Sequence, residues 1–267
     1  MGKTLGIVSL KGGVGKTSVV ASLGAAISDF KKKVLLVDGN LSAPNLSFHL
    51  NVINPEVTLH DVLSRKVNPS DAICELDSEH FHFIPSSIIP YSLNVNPFDL
   101  RNKIKSLKNN YDFILIDSSP TLDDETLAVM LASDSLLVVT TPDYPTLSTT
   151  IRAVNEAKNR GANVVGLILN KVHNKNFEVS IKDIERFTDV PIMAVIPYDI
   201  SSLKALSEFV PSTVYKPNSL GSVEYKKLAA ALMGEKYRAF KLRDLFNIIP
   251  KKEEINREVY YKSFFED

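Results

Sequence analysis

Cysteine is almost absent: Cys74 is the only one in 267 residues. No disulfide can form within the chain, and a Cys-x-x-Cys iron–sulfur or zinc site is excluded. The expected compartment is a reducing cytoplasm. An excess of one charge sign is missing as well: 31 Lys and Arg balance 31 Asp and Glu, for a formal net charge of +0. No global field therefore directs the chain to nucleic acid or to a membrane surface. Long apolar runs are also lacking. Nothing approaches the ~18 residues that cross a bilayer. The opening MGKTLGIVSLKGG holds no apolar stretch of signal-peptide length, and Gly6 stands where a myristoylation motif needs Ser or Thr.

What is present is an ordinary globular composition, 44% hydrophobic and 23% charged. The length suits one large core, or a core with a small appendage. Short apolar runs rich in Val, Ile and Leu fall at residues 5–10, 34–37, 113–116, 136–139, 164–169 and 192–196, with a weaker one at 82–84. They are apolar on both strand faces, as strands covered by helices on both sides must be. Helix-like segments lie between them at 15–30, 100–109, 124–131, 147–159, 180–187 and 222–233, and residues 88–97 read as a loop. The alternation predicts an α/β fold: a doubly wound, mostly parallel sheet with helices on both faces. Ligands of such sheets sit beyond the carboxyl ends of the strands. A boundary is expected at Gly234, dividing residues 1–234 from a tail of residues 235–267.

The most informative motif follows the first strand directly. It reads Lys11-Gly12-Gly13-Val14-Gly15-Lys16-Thr17, with Ser18 continuing into a helix. Strand, glycine loop and helix in that order define a P-loop context. The glycines let main-chain N–H groups turn inward, and the helix N-terminus adds its own donors, so phosphate is the natural ligand. Gly12, Gly13, Val14, Gly15, Lys16, Thr17 and Ser18 are the expected cradle. Lys16 would reach the β- and γ-phosphates, and the Thr17 hydroxyl would ligate Mg²⁺. Asp117 ends the run 113–116 and Asp38 ends 34–37. A carboxylate at Asp117 can orient water or Thr17 around the metal.

KGGVGKT, with a lysine leading the glycines, resembles the deviant Walker A motif of the MinD/ParA family of ATPases. The resemblance continues through VLLVDGNLSAPNL, FILIDSSP, VVTTPDYPTL, LILNKV and VIPYD, covering about residues 4–233. It implies an ATP- and Mg²⁺-binding P-loop ATPase that forms an ATP-dependent homodimer, with Lys11 reaching the phosphates held by the second subunit. By the same resemblance Asp38 and Asp117 are the switch and Walker B carboxylates, Asn170 contacts adenine, and Pro197, Tyr198 and Asp199 pack on the base. The guanine-reading Asp of an Asn-Lys-x-Asp motif is absent, His173 standing in its place. One departure matters: where the family has a second Asp, this chain has Asn40. An amide orients water but cannot take its proton, which predicts slow hydrolysis. The second switch, 118–125, has Thr121 where glycine is common.

Metal-cluster relatives are disfavoured by the single cysteine, and arsenite-pump relatives by the length and the single P-loop. The resemblance leaves three functions open: a MinD-like switch that positions a protein partner in cell division or spatial organisation, a ParA-like partition ATPase on nonspecific DNA, and a nearly inactive nucleotide-bound scaffold. From Lys236 to Ile249 the tail mixes basic with apolar residues. That composition suits a helix lying on an anionic membrane, and equally one docking on a partner or on its own domain. The lysine clusters 31–33 and 103/105/108 read as solvated faces.

Overall fold

The computed structural model describes residues 2–76, 80–88, 95–235, 237 and 251–265. One eight-stranded sheet forms the centre of these residues. In chain order its strands are β1 (Lys3–Val8), β2 (Val34–Asp38), β3 (Cys74–Glu75), β4 (Phe81–Ile84), β5 (Phe113–Asp117), β6 (Ser135–Thr140), β7 (Val164–Val172) and β8 (Ile192–Pro197). They lie in the order β3-β4-β2-β5-β1-β6-β7-β8, and every pairing is parallel except the two-residue edge strand β3 against β4.

The period of two along each strand feeds two separate apolar clusters. Leu5 and Ile7 of β1, Leu36 of β2 and Leu115 of β5 enter one; Leu35, Val37, Ile114 and Ile116 enter the other. Each such side chain, fully buried, stabilises the fold by about 1.5–3 kcal/mol relative to exposure. The helices α1 (Lys16–Asp29) and α9 (Leu220–Met233) cover the first face. The second is covered by α2 (Leu59–Leu63), α3 (Leu100–Leu107), α4 (Asp124–Ala132), α5 (Tyr144–Asn159) and α6 (Ile181–Thr188). Small residues bring α1 close to the sheet: a Cβ added at Gly24 would lie 2.6 Å from Leu36 Cδ2. The doubly wound architecture is as expected from the alternation.

Several boundaries differ from the sequence pattern for identifiable reasons. The first strand sits two residues earlier than 5–10, because Ser9 has already turned out of the ladder and its Oγ accepts the Lys11 N–H at 3.3 Å. α5 starts at Tyr144 rather than 147, since Asp143 caps its N-terminus and Pro145 fits the first turn. Short helices α7 (Ile200–Ser207) and α8 (Ser212–Tyr215), and the edge strand β3, carry too few periodic positions to stand out in sequence. Of the expected loop 88–97, residues 89–94 lie outside the described residues; a 3-10 turn, Pro97–Asp99, follows.

Gly234, at φ 75°, terminates α9 in the left-handed conformation that glycine adopts without Cβ strain. Within the tail, the Tyr237 ring stands edge-on to Phe30 at 5.8 Å. The rest of the stretch from Lys236 to Ile249 lies outside the described residues. Beyond it, α10 (Lys252–Phe265) returns to the body and packs on β8 and α9. Its seam is polar. Asn256 donates to the Ile192 carbonyl and Arg257 to that of Met193. Ion pairs join Arg257 to Glu224 (3.1 Å), Lys227 to Glu254 (2.9 Å) and Lys252 to Glu185.

Candidate functional site

The carboxyl ends of the central strands converge on one group of side chains. The turn after β1 places Gly13 at φ 78° and Gly15 at φ 88°, conformations that L side chains rarely adopt. A Cβ built on Gly12 or Gly13 would meet nothing within 4 Å, so the space above the loop is open. Gly15 is also the N-cap of α1, whose first N–H groups have no intrahelical acceptor and point at that space. Open room, inward donors and a helix N-terminus make a cradle for phosphate.

β2 and β5 are neighbours in register, with Asp38 paired to Asp117, both fully buried. Lys16, itself buried, donates to Asp117 Oδ1 at 2.8 Å and to the Ser118 carbonyl. The Thr17 hydroxyl donates to Asp117 Oδ2 at 2.7 Å. Asp38 accepts the main-chain N–H of Leu46 (3.0 Å) and of Asn40 (3.2 Å). Burial, and then the neighbouring Asp117 carboxylate, push the Asp38 carboxyl up to about 7, outweighing those hydrogen bonds and the Lys16 ammonium. Such a pair of carboxylates calls for positive charge between them. Lys16 supplies some of it, and a hard divalent cation suits the same oxygens: Thr17, Asp117 and Asp38. Among the described residues no group of three or more His, Cys, Asp or Glu forms a cage for a metal.

Asn40 is 4% exposed, its Nδ2 donating to the Ala43 carbonyl. Its Oδ1 is buried, and among the described residues nothing donates to it. Two residues on, Ser42 is tied to the start of α4: its N–H donates to Glu125 Oε2 at 3.2 Å and its hydroxyl to Oε1. The segments that follow β2 and β5 are thus joined by one carboxylate. Asp123 caps α4, accepting the Thr126 N–H at 3.0 Å.

Lys11 does not reach the space above its own glycines. Its ammonium donates to Asp143 Oδ1 at 3.2 Å and to the Thr146 hydroxyl. At the far side of the loop, two residues near the end of β7 hold its carbonyls: Asn170 Nδ2 donates to Val14 O at 2.8 Å, and Lys171 Nζ to Gly13 O at 2.6 Å. Pro197 ends β8, Tyr198 stacks on His173 with ring centroids 4.7 Å apart, and Asp199 caps α7. Asn170 therefore sits against the phosphate loop, and Pro197, Tyr198 and Asp199 follow at the end of the neighbouring strand.

Asp143, Thr146, the Lys171 contact with the loop and the Ser42–Glu125 link were not singled out in sequence. Asp143 and Thr146 do carry a local signal, an Asp three residues before a Thr at the head of a helix, which is a capping pattern. The others depend on contacts between distant segments.

A glycine loop between a strand and a helix, with a buried lysine and two carboxylates at strand ends, defines a P-loop nucleotide-binding protein. Residues 2–164 match the family described as an AAA domain. The septum site-determining protein MinD of Thermotoga maritima is 30% identical over 243 residues, covering 88% of this chain and 89% of that protein. The cell division ATPase MinD of Pyrococcus furiosus superposes with a TM-score of 0.81 at 38% identity, over 86% of this chain and 97% of that one. MinD of Pyrococcus horikoshii, solved with Mg-ADP, gives 0.82 at 34% identity, over 93% and 100%. The chain belongs to the MinD/ParA family of P-loop ATPases.

Proposed function

We propose that the protein is a MinD-like switch: it binds Mg-ATP, dimerises on ATP, hydrolyses it slowly and positions a protein partner. The phosphates would lie against Gly12–Thr17 main-chain donors and Lys16, and the base against Asn170 and the Pro197–Asp199 turn. Bound Mg²⁺ would neutralise phosphate charge beside Thr17, Asp38 and Asp117. In this reading residues 1–234 are the ATPase domain and residues 235–267 an appended arm. The protein works in the cytoplasm, with the stretch from Lys236 to Ile249 as its candidate contact to a membrane surface.

The observation that carries slow turnover is Asn40. Its amide nitrogen is fixed on Ala43 O, its main-chain N–H is held by Asp38, and among the described residues its buried Oδ1 is left as an open acceptor. Such an oxygen orients a water molecule by accepting one hydrogen bond. It removes no proton, and general-base assistance is worth about 10²–10⁴-fold. Single-turnover hydrolysis of Mg-ATP by wild type and Asn40→Asp tests the assignment. Asn40→Asp is expected to be at least about tenfold faster. Rapid unstimulated hydrolysis by wild type, unimproved by Asn40→Asp, overturns it.

Dimerisation has its own support in Lys11, which serves no group of its own phosphate loop. Light scattering with ADP and with ATP should show a dimer only with ATP. That dimer should be lost in Lys16→Ala, which loses its hold on the nucleotide, and in Lys11→Ala, which retains it. A stable ATP dimer with negligible turnover in both wild type and Asn40→Asp would favour the nucleotide-bound scaffold instead.

A further inference from the structure

Parallel strands give the sheet two unlike poles. The phosphate loop occupies the carboxyl pole. At the amino pole is a cavity of about 510 Å³ with Lys3, Lys32, Lys33, Asn109, Tyr111 and Phe265 among its walls. Lys3 opens β1 and Lys33 immediately precedes β2, so both are fixed to the sheet rather than to a loose loop. The Lys3 ammonium sits over the Phe265 ring, 4.3 Å from its centroid, and the Lys33 ammonium lies 5.5 Å from that of Tyr111.

Among the described residues, charge around this cavity is not balanced. Among the described residues neither Lys3 nor Lys33 has a carboxylate within ion-pair distance, and Lys32 has only Glu235 at 3.8 Å. The one carboxylate among the walls, Asp112, accepts the Lys33 main-chain N–H at 2.8 Å. Lys3 is held where burial lowers its pKa. Ammonium groups gathered on a concave, partly desolvated wall favour an anion of more than one charge. Leu232, Met233 and Phe265 supply apolar wall beside them.

We propose that this amino-pole cavity binds a phosphate ester, its anionic oxygens between Lys3, Lys32 and Lys33 and its apolar portion against Phe265 and Met233. Two sources share that chemistry, a soluble phosphate ester and the headgroup of an anionic phospholipid. The site is separate from the nucleotide cradle, which stands at the other end of the same strands.

The test uses the full chain and Lys3→Gln/Lys33→Gln, a surface pair of changes that leaves the nucleotide cradle intact. Probes are glycerol 3-phosphate by calorimetry, and vesicles of phosphatidylcholine with or without phosphatidylglycerol by flotation. Two lysines near an anionic surface contribute enough for about a thirtyfold loss of binding when both are replaced. Loss of glycerol 3-phosphate binding assigns a soluble ester. Loss of binding to phosphatidylglycerol vesicles alone assigns the lipid headgroup. Vesicle binding equal in the two proteins, with no heat from glycerol 3-phosphate in either, overturns the proposal, as does a variant weakened only toward nonspecific duplex DNA. Unchanged ATP binding and circular dichroism in the variant keep a folding defect apart from the loss.

Discussion

Lys11 and Asp143, 132 residues apart in sequence, meet at 3.2 Å within one chain. The contact ties the leading residue of the phosphate loop to the N-cap of α5, where Asp143 also accepts the Thr146 N–H at 2.9 Å. A lysine that would serve a second subunit is thus held by its own until something displaces it.

Replacing Asp143 separates its two duties. Asp143→Ala removes the cap and is expected to cost about 1 kcal/mol; Asp143→Ser should recover most of that. The ion pair itself, more than a third exposed on both sides, adds at most about 1 kcal/mol. Burial pushes the Asp143 carboxyl up, but donors from Thr141, Thr146 and Lys11 outweigh it and hold it at about 2. Since that lies below the unfolded value near 3.9, the contribution is whole above about pH 4 and fades as pH falls toward 2. Urea midpoints at neutral and acid pH check this: the gap between wild type and Asp143→Ala should narrow in acid, and an unchanged gap refutes it.

The Lys16 ammonium pairs with buried Asp117 and lies within electrostatic reach of buried Asp38. Lys16→Ala leaves Asp38 and Asp117 facing each other at 0% exposure. Removing one member of a buried ion pair costs about 3–5 kcal/mol. The urea midpoint of Lys16→Ala should drop accordingly at neutral pH, and a second change, Asp117→Asn, should restore part of it. A Lys16→Ala protein as stable as wild type would show that the pair contributes nothing to the fold.

The Ser42–Glu125 link predicts a change in mobility more than in stability. Glu125→Ala should leave the unfolding free energy within about 1 kcal/mol. Amide exchange at Leu41 and Ser42 should speed up, because the Ser42 N–H loses its acceptor. Exchange rates identical to wild type would remove the link from any account of the switches.

Docking of α10 rests on Arg257, buried against Glu224 and the Met193 carbonyl. Arg257→Ala leaves that carbonyl unpaired and should cost about 2–4 kcal/mol of docking. Limited proteolysis should then cut residues 251–265 much faster, with ATP binding unaffected. High salt should act in the same direction on wild type, though weakly, since buried pairs are little screened.

Much of this was legible in the sequence, for a physical reason. Strands such as Leu35-Leu36-Val37 are apolar on both faces because helices cover both, so a short uninterrupted run is itself the signature of a buried parallel strand. The glycines before Lys16 mark the phosphate loop because few residue types tolerate its backbone. What stayed hidden depends on distance along the chain. Nothing local announces that Lys171 reaches the Gly13 carbonyl or that Glu125 reaches Ser42. The helix α10 escaped as well: its buried positions, Glu253, Arg257 and Tyr260, are largely charged, so hydrophobic periodicity had nothing to register.

β1 carries Lys3 at one end and runs into the glycine loop at the other. Six residues of strand span about 20 Å, more than twice the screening distance of about 8 Å at physiological salt. Solvent ions therefore screen most of the charge arriving at one pole from exposed groups at the other. Any cross-talk between the two would have to be mechanical, carried by a rigid rod already locked on both sides by β5 and β6, and the default expectation is two ligands that bind without knowledge of each other.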